Sequence, residues 1–356
     1  MPTNRPRVLV RVAALATALA LAACVAKPQP APLGEGESRI PDAAAPLRLA
    51  LVAASRGSVD AAANDSALAG LQRARRRLAA EVQVLQPRTS ADNQADLILL
   101  ADQDFDEVFA VGAAMRGDLA AVARNYPKRR FAIVDATVDL VNVTSLRFRE
   151  QDGAFLAGAL AAMVSTHKRI AFLRGSDVAR SQALEAGFIA GAREIDAHIA
   201  VASRDVGPAA GAAAGRALTN ALLDAGADVV FVAPGDASRG ALGAVRDRAH
   251  AFAIDVDTNG TIPPAKTLLT SIVRRVDLAV FKTALQARAQ KLPSGPAEFG
   301  LKDGGVALAD FPATRKLVGS TRLARLARLR SAIVAGTLVP PRTLAQLAAF
   351  RPTREN

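Results

Sequence analysis

The chain has 356 residues, 51% of them hydrophobic and 22% charged, a composition that fits a folded globular protein and excludes extended disorder. At about 150 residues per domain, two domains are expected. The formal charge is +12, yet there is no Trp, a single Tyr and no interleaving of aromatic with basic residues, which argues against a nucleic-acid partner.

Arg5, Arg7 and Arg11 form a positive opening, and residues 12–22 form an apolar run of small residues. The run is shorter than the about 20 apolar residues that a spanning helix needs, and it has the build of a secretory signal over residues 1–23. The signal ends in Leu21-Ala22-Ala23-Cys24, which is similar to a bacterial lipobox. Cys24 is the only cysteine, so it is the predicted lipid attachment site, and no disulfide or cysteine-based metal cluster is available within the chain. Residues 24–45, with Pro, Gly and Glu and little periodicity, read as a lipidated N-terminus and linker. The expected location is therefore the cell envelope, anchored by lipid at the periplasmic face. Val25 in place of an Asp after Cys24 leaves outer-membrane sorting open.

From Leu47 short apolar runs alternate with amphipathic stretches. Strands are predicted at 47–53, 82–85, 107–111 and 130–134, with helices at 66–78, 92–100 and 116–125. The theme repeats with a strongly apolar helix at 153–164, strands at 169–173, 198–203, 228–233 and 251–254, and helices at 182–195 and 209–223. Continuous apolar runs of this length suit parallel strands buried on both faces. Strands alternating with helices give doubly wound lobes, and two such series predict two lobes with a cleft between them. The division is lobe 1 at 46–148 plus about 257–305, lobe 2 at 149–256 plus about 306–341, and a C-terminal tail at 342–356. Near the end, Arg322, Arg325 and Arg328 share one helical face and Leu323, Leu326 and Leu329 another, so the basic run reads as a solvated helix face. The run Arg73 to Arg77 reads the same way.

No catalytic constellation is found. His167, His198 and His250 are far apart, lack metal-ligand spacing and are expected in loops or at strand edges. There is no GxSxG elbow or phosphate-binding P-loop, and the carboxylate pairs Asp255/Asp257 and Asp102/Asp104 have no neighbouring histidine. The expectation is a binding protein without enzyme activity, metal or cofactor. Its ligand should sit beyond the carboxyl ends of the strands.

The segment Glu150-Gln-Asp-Gly-Ala-Phe155-Leu-Ala-Gly158-Ala-Leu-Ala-Ala162 is similar to the helix that opens with glutamate and GAFLAG in the basic membrane protein family. These are lipoprotein substrate-binding components of transporters and include purine-nucleoside receptors. Matches around Asp135, Ala186 to Gly191, Ala225 to Phe231, Ile254 to Asp257, Thr270 to Asp277 and Ala335 to Pro340 follow in the family's order, so the resemblance runs from about Leu47 to Pro341. It implies an α/β, two-lobed type I periplasmic-binding-protein fold, each lobe a doubly wound parallel sheet. It also implies a nucleoside-like small molecule between the lobes and a membrane permease as partner.

The family's first-loop pattern aligns with Asp60 to Gly70, so Asp60 and Asn64 are implied to hold ligand, while Ala63 stands where relatives have a stacking Phe. Leu184 replaces another frequent Phe, and Phe188 remains. The family's glycine-rich turn appears as Gly235-Asp236-Ala237-Ser238, and its ligand-contacting Lys is Arg274. With the retained Asp135 and Asp257, the implied ligand set is Asp60, Asn64, Asp135, Phe188, Gly235, Asp257 and Arg274. A ribose-like or otherwise polyhydroxylated molecule is expected. The competing expectation is an envelope lipoprotein that uses the same fold, with a degenerate site, as a protein-interaction or regulatory module.

Overall fold

Runs such as RLALV, EVFAV and FAIV form strands because both faces of each are covered by helices, so every position can be apolar. The computed structural model describes residues 45–55, 60–207, 210–257, 266–291, 295–309 and 314–353. The predicted signal peptide, Cys24 and most of the linker lie outside them.

The first lobe is built from β1 (Arg48–Val52), α1 (Ala61–Leu78), β2 (Glu81–Leu85), α2 (Asn93–Ala101), β3 (Glu107–Val111), α3 (Arg116–Asn125), β4 (Phe131–Val134) and β5 (Val143–Phe148). The second follows with α4 (Glu150–Val164), β6 (Arg169–Arg174), α5 (Val178–Ile195), β7 (Ala200–Asp205), α6 (Ala212–Asp224), β8 (Val229–Val232), α7 (Ser238–Arg246), β9 (Phe252–Val256) and β10 (Leu268–Arg274). α8 (Val276–Arg288) and β11 (Gly295–Phe299) return to the first lobe. β12 (Val306–Leu308), α9 (Arg315–Ala335) and α10 (Leu344–Ala349) complete the second. The first sheet runs β11-β5-β4-β3-β1-β2 and the second β12-β10-β9-β8-β6-β7. All pairings are parallel except β12, which is antiparallel to β10. The architecture is the expected α/β, two-lobed, doubly wound one.

Three differences from the sequence reading stand out. β5 (VTSLRF) and β10 (LLTSIVR) were not anticipated, because Thr, Ser and Arg interrupt their apolar runs. β10 pairs with β9, so the second sheet extends through Arg274, and the division at about 257 is corrected to one near 275. The chain beyond 341 is no tail. α10 is capped by the Thr343 side chain, Phe350 sets its ring edge-on to Phe155, and Thr353 hydrogen-bonds Glu194 of α5. In α9, Leu326 and Leu329 are buried and Arg322 and Arg328 exposed, as the two predicted faces require, whereas Arg325 and Leu323 are both half-buried.

The chain crosses between lobes at β5–α4, β10–α8 and β11–β12, and these crossings are tied together. Arg149 N–H donates to Phe299 O at 2.8 Å and Arg275 N–H to Gly305 O at 2.8 Å. The Asp303 carboxylate accepts from the N–H groups of Gly300 and Gly305, both at 2.9 Å. A bundle of short, mutually bonded crossings is a natural pivot for lobe closure.

α4 explains the family's glycine-rich signature. A Cβ on Gly158 would lie 1.9 Å from Phe188 O, and one on Gly191 would lie 1.8 Å from Phe155 O. α4 and α5 therefore touch backbone to backbone, which only glycine permits.

At the opposite end of the first sheet from the cleft, Glu107 opens β3 with 1% exposure, and neither carboxylate oxygen has a hydrogen-bond partner among the described residues. Burial raises its pKa to about 8, with Arg130 opposing only in part. The folded protein thus holds a proton that the unfolded chain releases near the ordinary value of 4.5. Stability contributed by this group is complete below that value and declines as pH rises towards 8, by roughly 3–5 kcal/mol in total. Glu107→Gln, which cannot ionise, is expected to flatten that decline. Denaturant unfolding at pH 5 and pH 8 checks it: the variant should match the parent at the lower pH and exceed it at the higher.

Candidate functional site

The carboxyl ends of both sheets face one cleft of about 700 Å³. From the first lobe come Asp60 at the start of α1, the 3₁₀ turn Ala113–Met115 after β3, Asp135 after β4, and Arg147 and Phe148 at the end of β5. From the second come Glu150 at the first turn of α4, Ser176, Asp177 and Arg180 at the start of α5, and Pro234 after β8.

The centre of the cleft is an ion-pair network with Arg274, the last residue of β10, at its heart. Its side chain is 3% exposed. One end donates to Asp135 of the opposite lobe, and Nε donates to Asp257 at 2.6 Å. Glu150 lies 3.9 Å away. Arg180 forks onto Glu150 with contacts of 2.9 and 2.7 Å and reaches Asp257 at 3.3 Å. Burial opposes the charge on Arg274, but Asp135, Asp257 and Glu150 outweigh it and hold the guanidinium firmly protonated. Burial likewise pushes the Asp257 carboxyl up, and Arg274 and Arg180 overcome this and bring it below the ordinary value.

Asp135 and Asp257 end equivalent strands, β4 and β9, and both adopt positive φ, 66° and 59°. Aspartate tolerates this left-handed conformation better than most residues. Each carboxylate can thereby reach Arg274. Asp60 stands beside them, its pKa raised first by burial and then by Asp135. Gly112, at φ 102°, leaves room for it, since a Cβ there would lie 2.7 Å from Asp60 Oδ2.

The implied ligand set divides. Asp60 and Asp135 line the cleft, and Asp257 and Arg274 join it through the ion pairs. Gly235 follows Pro234 of the lining. Two positions are corrected. Asn64 is buried, its amide accepting from Ala54 N–H at 2.8 Å and donating to Ala54 O at 2.9 Å, so it fastens the loop after β1 to α1 and does not line the cleft. Phe188 is 0% exposed and packs against Phe172 and Phe231 inside the second lobe, held there by the close α4–α5 contact. Ala63 and Leu184 are core residues as well.

Sequence reasoning missed Arg116, Arg147, Phe148, Glu150 and Arg180. Glu150 was visible inside the quoted motif as an acid in the first turn of a helix. The others carried no signal, since each is an ordinary surface-type or core-type residue until the sheets assemble. Phe148 is the aromatic among the described residues that line the cleft, its ring centroid 5.8 Å from the Arg274 guanidinium carbon. The histidines lie in turns outside the strands, and Asp102 and Asp104 serve Tyr126 and Arg129 on the surface of lobe 1.

Residues 49–339 match the family model Bmp, described as ABC transporter substrate-binding protein PnrA-like. The chain belongs to that family. Its members bind substrates for transport and are not enzymes. A CD4+ T-cell-stimulating antigen of Listeria monocytogenes is 27% identical over 82% of this chain and 87% of its own. The ABC transporter nucleoside-binding protein BmpA of Lactococcus lactis is 26% identical over 83% and 89%. An ABC transporter solute-binding protein of Aeropyrum pernix superposes with a TM-score of 0.70 at 21% identity, covering 85% of this chain and 96% of that one, a likeness of fold. The family match spans both sheets and every strand that delivers a residue to the cleft.

Proposed function

We propose that this protein is the lipid-anchored extracytoplasmic receptor of a transporter, and that it takes a nucleoside or related polyhydroxylated small molecule into the cleft and passes it to a membrane permease. Cys24 is the proposed anchor. Basic membrane proteins and lipoproteins among the relatives fit a place in the cell envelope. The observation that carries the reading is the convergence of Asp135 from one lobe with Asp257, Arg274, Glu150 and Arg180 from the other. Carboxylates so placed accept hydrogen bonds from ligand hydroxyls, Arg274 and Arg180 donate to ring or carbonyl acceptors, and Phe148 offers an apolar face. A ligand that bridges Asp135 and the second lobe replaces or reinforces the Arg274–Asp135 ion pair that already spans the lobes inside the cleft, and so couples binding to lobe closure.

A thermal-shift screen of nucleosides, bases and sugars at millimolar concentration is the test. A ligand present at 100 times its dissociation constant adds about 2.7 kcal/mol to stability. Asp135→Ala should weaken the best compound by at least about tenfold. A screen in which no compound raises the melting temperature rejects the receptor reading and leaves the interaction-module alternative.

A further inference from the structure

The charges of the cleft do not all pair with one another. Arg180 and Arg274 are engaged by Glu150, Asp135 and Asp257. Arg116 and Arg147 line the same cleft and have no hydrogen bond or ion pair among the described residues. Of the remaining acids, Asp177 accepts the Arg180 N–H at the start of α5, and Asp60 is half-buried beside Asp135.

The two arginines are placed by the sheet. Arg116 opens α3 beyond β3, Thr137 lies beyond β4 and Arg147 is the penultimate residue of β5, and these three strands are adjacent. Arg116 and Arg147 thus reach the cleft from strands on the two sides of β4, and the segment after β4 brings Thr137 to the same lining. Long guanidinium side chains from either side can close on one tetrahedral anion there, and the planar fork suits phosphoryl oxygens. Across the cleft the Ser176 hydroxyl is exposed and offers a further donor from the second lobe. Asp135, one residue from the Ala136-Thr137 stretch, would hold the sugar hydroxyls of the same molecule.

We infer that the cleft takes a ligand carrying a phosphomonoester, a nucleoside monophosphate or sugar phosphate, whose phosphoryl group is held by Arg116, Arg147 and Thr137 while its sugar meets the Asp135–Arg274 network. The inference rests on the receptor reading and narrows its ligand class. A neutral nucleoside leaves two cations of the cleft uncompensated; the monophosphate neutralises them. The volume of about 700 Å³ accommodates the larger molecule.

Titration calorimetry on matched pairs decides the matter: nucleosides against their 5′-monophosphates, and ribose against ribose 5-phosphate. The phosphorylated partner should bind at least about tenfold tighter, with the advantage shrinking as salt is raised. Arg116→Gln with Arg147→Gln should abolish that advantage, bringing the affinities of the two members of each pair together. Since neither arginine side chain has a partner to lose among the described residues, the unliganded melting temperature of the double variant should stay at the parent value, and this serves as the folding control. A neutral compound that binds as tightly as its phosphate ester overturns the inference and leaves the receptor reading standing, as does a phosphate advantage that survives the double substitution. Absence of binding by both members of every pair rejects the receptor reading and the phosphate site with it.

Discussion

Replacing Gly191 by alanine is expected to destabilise the protein by about 3 kcal/mol, and replacing it by leucine to abolish soluble folded protein. On helix propensity alone the alanine variant should gain about 1 kcal/mol. The opposite sign follows from the added methyl, which would sit 1.8 Å from the Phe155 carbonyl oxygen, a backbone atom that no rotamer change can move. α4 and α5 must separate, and the core formed by Phe155, Leu160, Leu184 and Phe188 opens with them. Gly117 in α3 is the control, because nothing lies within 4 Å of a Cβ built there. Gly117→Ala should be neutral or stabilising. Denaturant unfolding of the two alanine variants measures both, and equal stabilities would show that the helices do not pack as closely as described.

Arg274→Ala should cost about 3–5 kcal/mol near neutral pH, since removal of one partner leaves buried carboxylates uncompensated. The loss should shrink at acid pH. Without Arg274, burial dominates at Asp257 and raises its pKa, so the carboxyl takes up a proton on mild acidification and the uncompensated charge disappears. In the parent the same carboxyl titrates below its ordinary value, and its contribution is lost only as pH falls below that value. The variant should also lose the Arg274–Asp135 ion pair, one of those that join the lobes, and small-angle scattering should register a larger radius of gyration. An unchanged radius and a pH-independent loss would mean that Arg274 acts through packing alone. Arg274→Lys discriminates further: it keeps the charge but cannot fork onto both aspartates, so it should recover only part of the stability.

The strands of the two sheet centres were legible because parallel strands covered on both faces need unbroken apolar runs, and EVFAV, FAIV and VVFV have them. β5 and β10 were not, although both are sheet members with buried residues. Ser145 there meets Val138 N–H at 3.0 Å, and Thr270 meets Ala309 O at 3.1 Å. A polar residue whose partner lies in another segment reads, locally, as a break. The glycines of α4 and α5 had a visible spacing, but that they face each other is a property of the pair of helices.

Local pattern alone therefore determined the class of fold, the alternation of strand and helix, and the edge of each sheet where a ligand would be met, because periodicity and burial are written residue by residue. The family resemblance, beside that pattern, drew attention to Asp135 and Asp257 after their strands. Which side chains meet was decided by tertiary structure. Arg274 and Asp135 are 139 positions apart, and nothing near either one announces the other. Asn64 and Phe188 had the chemistry of ligand residues and were turned to other work, one by the carbonyl and amide of Ala54, the other by two aromatic neighbours in the core. A side chain's role depends on the partner that reaches it first, and for charges and amides that partner comes from a distant part of the chain, where Coulomb attraction and desolvation act through space and leave no period in the sequence.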